Sequence, residues 1–239
     1  MTSLFGRLAH ALGMRTVDLG EAEARRRDAW SGLPASDLGL AFADARYVVV
    51  DVESTGLDLN KDRLIAIGAV AVEAGAIVLA DSFEVVLRQE RVSDKDNILI
   101  HGIGGEAQRE GMPPAEALLA FLEYLGNAPL VAFHVTFDET MIRRAMREYL
   151  GLDFKHPWLD LAYALPGMLP EHARNYRALD QWLGHFAISN YARHNAMADA
   201  LATAQLLQCA LRLAPARNAR SYKDLRDLEQ AQRWVSWAS

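Results

Sequence analysis

Tyr47-Val48-Val49-Val50-Asp51-Val52-Glu53 is the stretch on which the fold turns. Its β-branched run reads as a buried strand that ends in acids. Downstream, residues 64–72 and 76–87 read as two more strands, split by the turn signal Glu73-Ala74-Gly75. Three strands at such short spacing predict an antiparallel start to a sheet. From Pro113 the apolar period becomes helical. Pro113-Pro114 opens a helix with Ala117, Leu118, Phe121, Leu122 and Leu125 on one face, and Gly126 closes it. Residues 129–133 read as a short strand, 138–150 as a helix, and Trp158-Leu159-Asp160 as an edge strand. Helices follow at 161–165, 178–186 and 195–213. Strands first, then alternating helix and strand, predict an α/β domain with one mixed sheet flanked by helices.

Around this unit the chain is harder to read. Residues 1–46 are helical in pattern and mixed in charge, with Arg25-Arg26-Arg27 ahead of the breaker Ser31-Gly32-Leu33-Pro34. Leu4, Leu8 and Leu12 predict a helix that docks on the main domain, with weak contact to a membrane surface as the alternative. Arg7 and His10 interrupt any signal-peptide core. From Ala214 the chain is charged and lacks a strong core pattern. Gln230-Ala231-Gln232-Arg233-Trp234 faintly resembles a clamp-binding peptide, but reads better as a loosely packed amphipathic end. The expected organisation is a helical extension at 1–46, a domain at 47–213 and a tail at 214–239.

Composition narrows the class. The chain has 239 residues, 51% of them hydrophobic, with 25 Lys and Arg against 31 Asp and Glu, a net charge of −6. A wholly disordered chain is excluded. A single cysteine, Cys209, excludes a disulfide scaffold and a cysteine-rich zinc module, and fits a reducing, cytoplasmic setting. No apolar run approaches the roughly 18 residues that span a bilayer, so no integral membrane contact is expected. The acidic total argues against coating nucleic acid through bulk positive charge. It leaves room for an enzyme whose acids gather at a metal site.

Asp51 and Glu53 lie two apart on a strand, so they share a face, roughly 6.6–6.8 Å apart along the chain, with Tyr47 and Val49. Two adjacent buried acids are costly without a cation; taken alone, the pair fits a strand that has run into solvent. Asp138 sits on the stripe of Met141 and Ile142, though a helix-start acid satisfying free backbone N–H groups is a good alternative. Asp199 shares its face with Ala202, Thr203 and Leu206 and has no such excuse. His194 precedes it by five residues, so the usual i, i+4 zinc pairing is absent. Inward carboxylates suit Mg²⁺ or Mn²⁺. Two such ions roughly 3.5–4 Å apart can clamp the attacking and leaving oxygens of a phosphodiester, with a histidine as base.

With these residues assembled, the chain resembles the DEDDh, DnaQ-like family of 3′→5′ exonucleases. Asp51-Val52-Glu53-Ser54-Thr55-Gly56-Leu57 is similar to the family's D-x-E-T-T-G segment. Val131-Ala132-Phe133-His134-Val135-Thr136-Phe137-Asp138 is similar to V-x-H-N-x-x-F-D, and His194-Asn195-Ala196-Met197-Ala198-Asp199 to H-x-x-x-x-D. Ile100-His101-Gly102-Ile103 looks like the family's H-G-I segment, and Asn175 to Asp180 like the step before the last motif. The resemblance covers roughly residues 46–212. It implies a ribonuclease H-like fold with a five-stranded mixed sheet and two metal ions per site. Asp51 would bridge both ions, Glu53 and Asp199 would complete one site, Asp138 would support the other, and His194 would be the general base. Ser54, Thr55, Gly56, Leu57, His101, His134 and Phe137 would line the substrate groove, with the Thr55 hydroxyl and Leu57 on the 3′-terminal nucleotide. His134 stands where the family often has Asn, and Phe133 where it has His; both bear on substrate preference.

The reading that follows is a metal-dependent 3′→5′ exonuclease that releases nucleoside 5′-monophosphates from single-stranded or frayed DNA ends. RNA is the same-class alternative, since discrimination of the 2′-OH lies in groove details. A non-catalytic nucleic-acid or partner-binding module is the different-class one; it predicts loss of a ligand or the base, and all are present. A polymerase or clamp partner is possible on this reading, and the oligomeric state is open. Arg143, Arg144 and Arg147 are expected to form a solvated helix face, and Cys209 to be buried and inert. His156, His172 and His185 show no clustering along the chain.

Overall fold

The computed structural model describes residues 17–238; Leu4, Leu8 and Leu12 lie outside the described residues. Five strands form one sheet: β1 (Arg46–Ser54), β2 (Leu64–Glu73), β3 (Ala76–Val86), β4 (Leu130–Ala132) and β5 (Trp158–Asp160). Their order is β3-β2-β1-β4-β5. β1, β2 and β3 pair antiparallel, while β4 and β5 continue from β1 in parallel. The β2–β3 turn places Ala74 at φ 51° and Gly75 at φ 75°. Two left-handed residues in a row match the twist of a two-residue hairpin.

Alternation along β1 separates two cores. Val48, Val50 and Val52 face one side, against α4 (Pro114–Leu125) and α5 (Thr136–Leu150). Tyr47 and Val49 face the other, against α6 (Leu161–Met168), α8 (Ala196–Leu213) and α9 (Tyr222–Ala238). Shorter helices are α1 (Glu21–Ser31), α2 (Lys95–His101), α3 (Gly105–Glu110) and α7 (Leu179–His185). The predicted stripe on α4 is fully buried at Leu118, Phe121, Leu122 and Leu125, each contributing about 1.5–3 kcal/mol by leaving water. The mixed sheet flanked by helices is the expected architecture. Among the described residues, no helix is long and apolar enough to cross a membrane.

One glycine decides how α8 meets the sheet. Gly68 of β2 pairs with Asp51 of β1, and a Cβ there would overlap the backbone of Ala196 and Met197. The first turn of α8 therefore rests on bare backbone beside Asp51, and Asn195 caps it by accepting from the Ala198 N–H at 3.0 Å.

The described parts of both flanking segments pack on the domain. Only residues 21–31 of the described N-terminal extension are helical, and α1 is bolted to α4: Arg26 contacts Glu116 at 2.6 Å and Glu123 at 2.6 Å. Trp30 donates to the Gly126 carbonyl at 2.7 Å and stacks on Phe154. The C-terminal segment, expected to be loosely packed, is the helix α9. Its Leu225 and Glu229 are fully buried, and the Tyr222 hydroxyl donates to the Trp158 carbonyl at 2.8 Å. An interleaved charge pattern hides its narrow apolar seam. Arg144 also departs from a solvated role, donating to the carbonyls of Leu59 and Asp62.

Candidate active site

Asp51 and Glu53 project from β1 on the face of Tyr47 and Val49, as alternation requires. Asp199, in the first turn of α8, reaches the same point because Gly68 admits the helix. One carboxylate oxygen from each of Asp51, Glu53 and Asp199 lies within 4.8 Å of the others. Asp138, from the first turn of α5, is buried and lies outside this group of three. Its charge still reaches Asp51.

The electrostatics are those of unbalanced negative charge. Burial, then the charges of Asp138, Asp199 and Glu53, push the Asp51 carboxyl well above its usual range, with Arg193 opposing them. Burial and Asp199 push Glu53 up to about 8. Asp138 is likewise raised, chiefly by burial. Asp199 carries protein donors on both oxygens. Oδ1 accepts from Asn190 and Arg193, and Oδ2 from the His194 N–H at 2.9 Å. Arg193 also contacts Asp180 at 2.8 Å. One guanidinium does not balance four acids, and a set made only of carboxylate oxygens fits a hard divalent cation. Asp51, Glu53 and Asp199 are the residues that could hold it.

These acids form the floor of a groove of about 560 Å³. Ser54, Gly56, Leu57, His101, His134 and Phe137 line it, as expected, and so does His194. Thr55 does not: its hydroxyl donates to Asp62 at 2.8 Å and accepts from the Arg63 N–H at 2.9 Å, bracing the loop. His101 is buried, with Nδ1 accepting from the Ile103 N–H at 3.0 Å; burial lowers its pKa. His134 and His194 both adopt left-handed backbone, at φ 65° and 61°. The His134 Nε2–H donates to the Arg177 carbonyl at 3.0 Å.

Sequence reasoning missed Asn97, Ile100, Leu179 and Arg193 as groove residues; Phe133, which it tied to substrate preference, lines the groove too. Leu57 and Ile100, 85% and 55% exposed, stand at the groove without apolar cover. Only the adjacency of Arg193 to His194 could have signalled its place. His172 and His185, distant in sequence, have ring centroids 4.4 Å apart and both contact the rings of Tyr176 and Trp182.

Residues 48–207 match the RNase_T family, described as "Exonuclease". The match takes in β1 and most of α8, and hence every acid of the site. The chain belongs to this exonuclease family, as its motifs suggested. It is 32% identical to the DNA polymerase III PolC-type of Thermotoga maritima over 165 residues, covering 69% of this chain and 12% of that protein. The PolC-type enzyme of Bacillus subtilis is 32% identical over 162 residues, covering 67% and 11%. The chain thus spans about an eighth of those relatives' length. Among solved structures, E. coli exonuclease I in complex with a dT13 oligonucleotide superposes with a TM-score of 0.62 at 15% identity, covering 72% of this chain and 42% of that one. Cell-death related nuclease 4 gives 0.63 at 14%, covering 72% and 65%. Both share the five-stranded ribonuclease H-like fold.

Proposed function

We propose that the chain is a metal-dependent 3′→5′ exonuclease that shortens single-stranded or frayed DNA and releases nucleoside 5′-monophosphates. The observation that carries this is the convergence of Asp51, Glu53 and Asp199 within 4.8 Å at the floor of an open groove in a chain of the exonuclease family. Asp51, Glu53, Asp138 and Asp199 would hold two Mg²⁺ or Mn²⁺ ions, which when bound neutralise the acids and polarise the scissile phosphate.

The protein's own groups do the rest. Leu57, Ile100 and Phe137 offer apolar surface to an unpaired terminal base, which binds an end without reading its identity. His194, held by its backbone N–H on Asp199, takes a proton from the attacking water on its imidazole. The bond from phosphorus to the preceding nucleotide's O3′ breaks, and the leaving O3′ gains a proton to become the new 3′-OH. DNA is favoured because E. coli exonuclease I was solved with a dT13 strand and the curated relatives are DNA polymerases. Those relatives also support a polymerase as partner. The proposed catalytic unit is 47–213, with 1–46 and 214–239 as flanking segments.

A time course on 3′- and 5′-labelled single strands of DNA and RNA tests this. With Mg²⁺ or Mn²⁺, the 3′ label is expected to appear at once as mononucleotide and the 5′-labelled strand to shorten stepwise. EDTA should stop both. Shortening from the 5′ end, or turnover in EDTA, would overturn the proposal.

Leu57→Ala is expected to raise KM about three- to tenfold with little change in kcat, a loss at the low end of the roughly 1–3 kcal/mol that a base gains on an aromatic platform. An unchanged KM would remove Leu57 from the groove's working surface.

A further inference from the structure

Helix α9 reaches the groove through one buried carboxylate. Asp160, at the end of β5, is 2% exposed. Its Oδ1 accepts from the Ala162 N–H at 3.0 Å, capping α6, and from the His134 N–H at 3.0 Å. Its Oδ2 accepts from Arg233 Nη2 at 2.8 Å. Arg233 is in turn fixed on two further sides. Its Nε donates to Glu229 at 2.8 Å, and its guanidinium lies 4.1 Å above the Tyr163 ring. Glu229, fully buried, also accepts from the Asp160 N–H at 3.2 Å and pairs with Arg226.

This network bears on the groove because of what His134 must do. Its left-handed backbone, φ 65°, is strained for a residue other than glycine. The bond to Asp160 holds that conformation. His134 and its neighbour Phe133 line the groove, and Phe137, three residues on, lies in the first turn of α5. Asp160 can hold the wall only if its own charge is oriented and compensated inside the protein. Arg233, the arginine on its other oxygen, supplies both, and its planar fork serves two acids at once.

We propose that Arg233 is a positioning residue for substrate binding: through Asp160, helix α9 sets the Phe133–His134 wall of the groove. The proposal rests on the nuclease reading only for its kinetic consequence. Arg233 contacts Asp160, Glu229 and Tyr163 and none of Asp51, Glu53, Asp199 and His194; of the acids only Asp138 adjoins the segment and feels the Asp160 charge, so the effect falls on binding more than on chemistry.

The test uses the full chain with Arg233→Ala and Arg233→Lys, read two ways. In hydrogen exchange without substrate, the segment 133–137 is expected to exchange about tenfold faster in Arg233→Lys, while β2 keeps wild-type protection. In steady-state kinetics on a short single-stranded DNA with Mg²⁺, Arg233→Ala should raise KM about tenfold and lower kcat less than about threefold, since small displacements in a site are felt this strongly. Lysine, lacking the fork, should restore the KM only in part. Wild-type exchange at 133–137 in Arg233→Lys would overturn the proposal, as would equal losses across KM, kcat and β2 protection, which mark simple destabilisation. If Arg233→Ala does not fold, the lysine variant decides. If the wild type lacks nuclease activity, the functional reading fails and the exchange measurement still judges the coupling.

Discussion

Asp51→Asn is expected to lower turnover by more than about 10³-fold, beyond the 10–100-fold that loss of an outer partner of a metal site costs. The same change should make the metal-free protein more stable. Asp51 is held above its usual pKa by burial and by Asp138, Asp199 and Glu53, so its ionised form is unfavourable in the fold. A raised carboxyl keeps its proton better folded than unfolded. The contribution of these acids to the metal-free fold is therefore fully present below the ordinary carboxylate pKa. It is lost as pH rises through that value towards the folded one, about 8 for Glu53. In EDTA at pH 8 the asparagine variant escapes this penalty and should melt several degrees above the wild type, given about 2–4 °C per kcal/mol for a chain of this size. At pH 5 the gap should narrow. Added Mg²⁺ should raise the wild-type Tm and move the variant much less. A variant that melts lower than wild type in EDTA at pH 8 would show that these acids do not repel one another.

His194→Asn should reduce kcat by about 10²–10⁴-fold, the range for loss of a general base, while leaving the Mg²⁺-induced rise in Tm intact. Asparagine is the informative replacement because His194 has φ 61°, a region asparagine tolerates better than alanine. It also preserves the backbone N–H that donates to Asp199. The rate lost then reports the imidazole and not a displaced carboxylate. If kcat is unchanged, His194 is not the base; if the Mg²⁺ response vanishes too, its role is to hold Asp199.

Much of this arrangement could be read before folding was considered. The run at 47–53, the Ala74-Gly75 turn and the stripes on α4, α5 and α8 are local patterns whose period states which face is buried. The acids that break those patterns, Asp51, Glu53, Asp138 and Asp199, stood out because a charge on an apolar face needs a reason. The flanks were less legible. Arg26 and Arg233 read as ordinary surface charge, because a pairing partner distant in sequence, Glu116 and Glu123 for the one and Asp160 for the other, leaves no periodic trace. The histidine pair at 172 and 185 was invisible for the same reason.

What the sequence by itself determined was the order of strands and helices and a mixed sheet flanked by helices, set by residue type and spacing; it offered the acids as candidates, and the resemblance of the motifs added the histidine. What only the tertiary structure decided is where those acids meet. Gly68 lets α8 press on β2 and brings Asp199 to Asp51, while Asp138 stays buried apart from the cluster. It also turned Thr55 inward onto Asp62, made Arg193 a basic partner of Asp199, and made α9 a support for the groove through Arg233 and Asp160. Convergence of charges depends on distances through space, and these follow from packing that no single segment encodes.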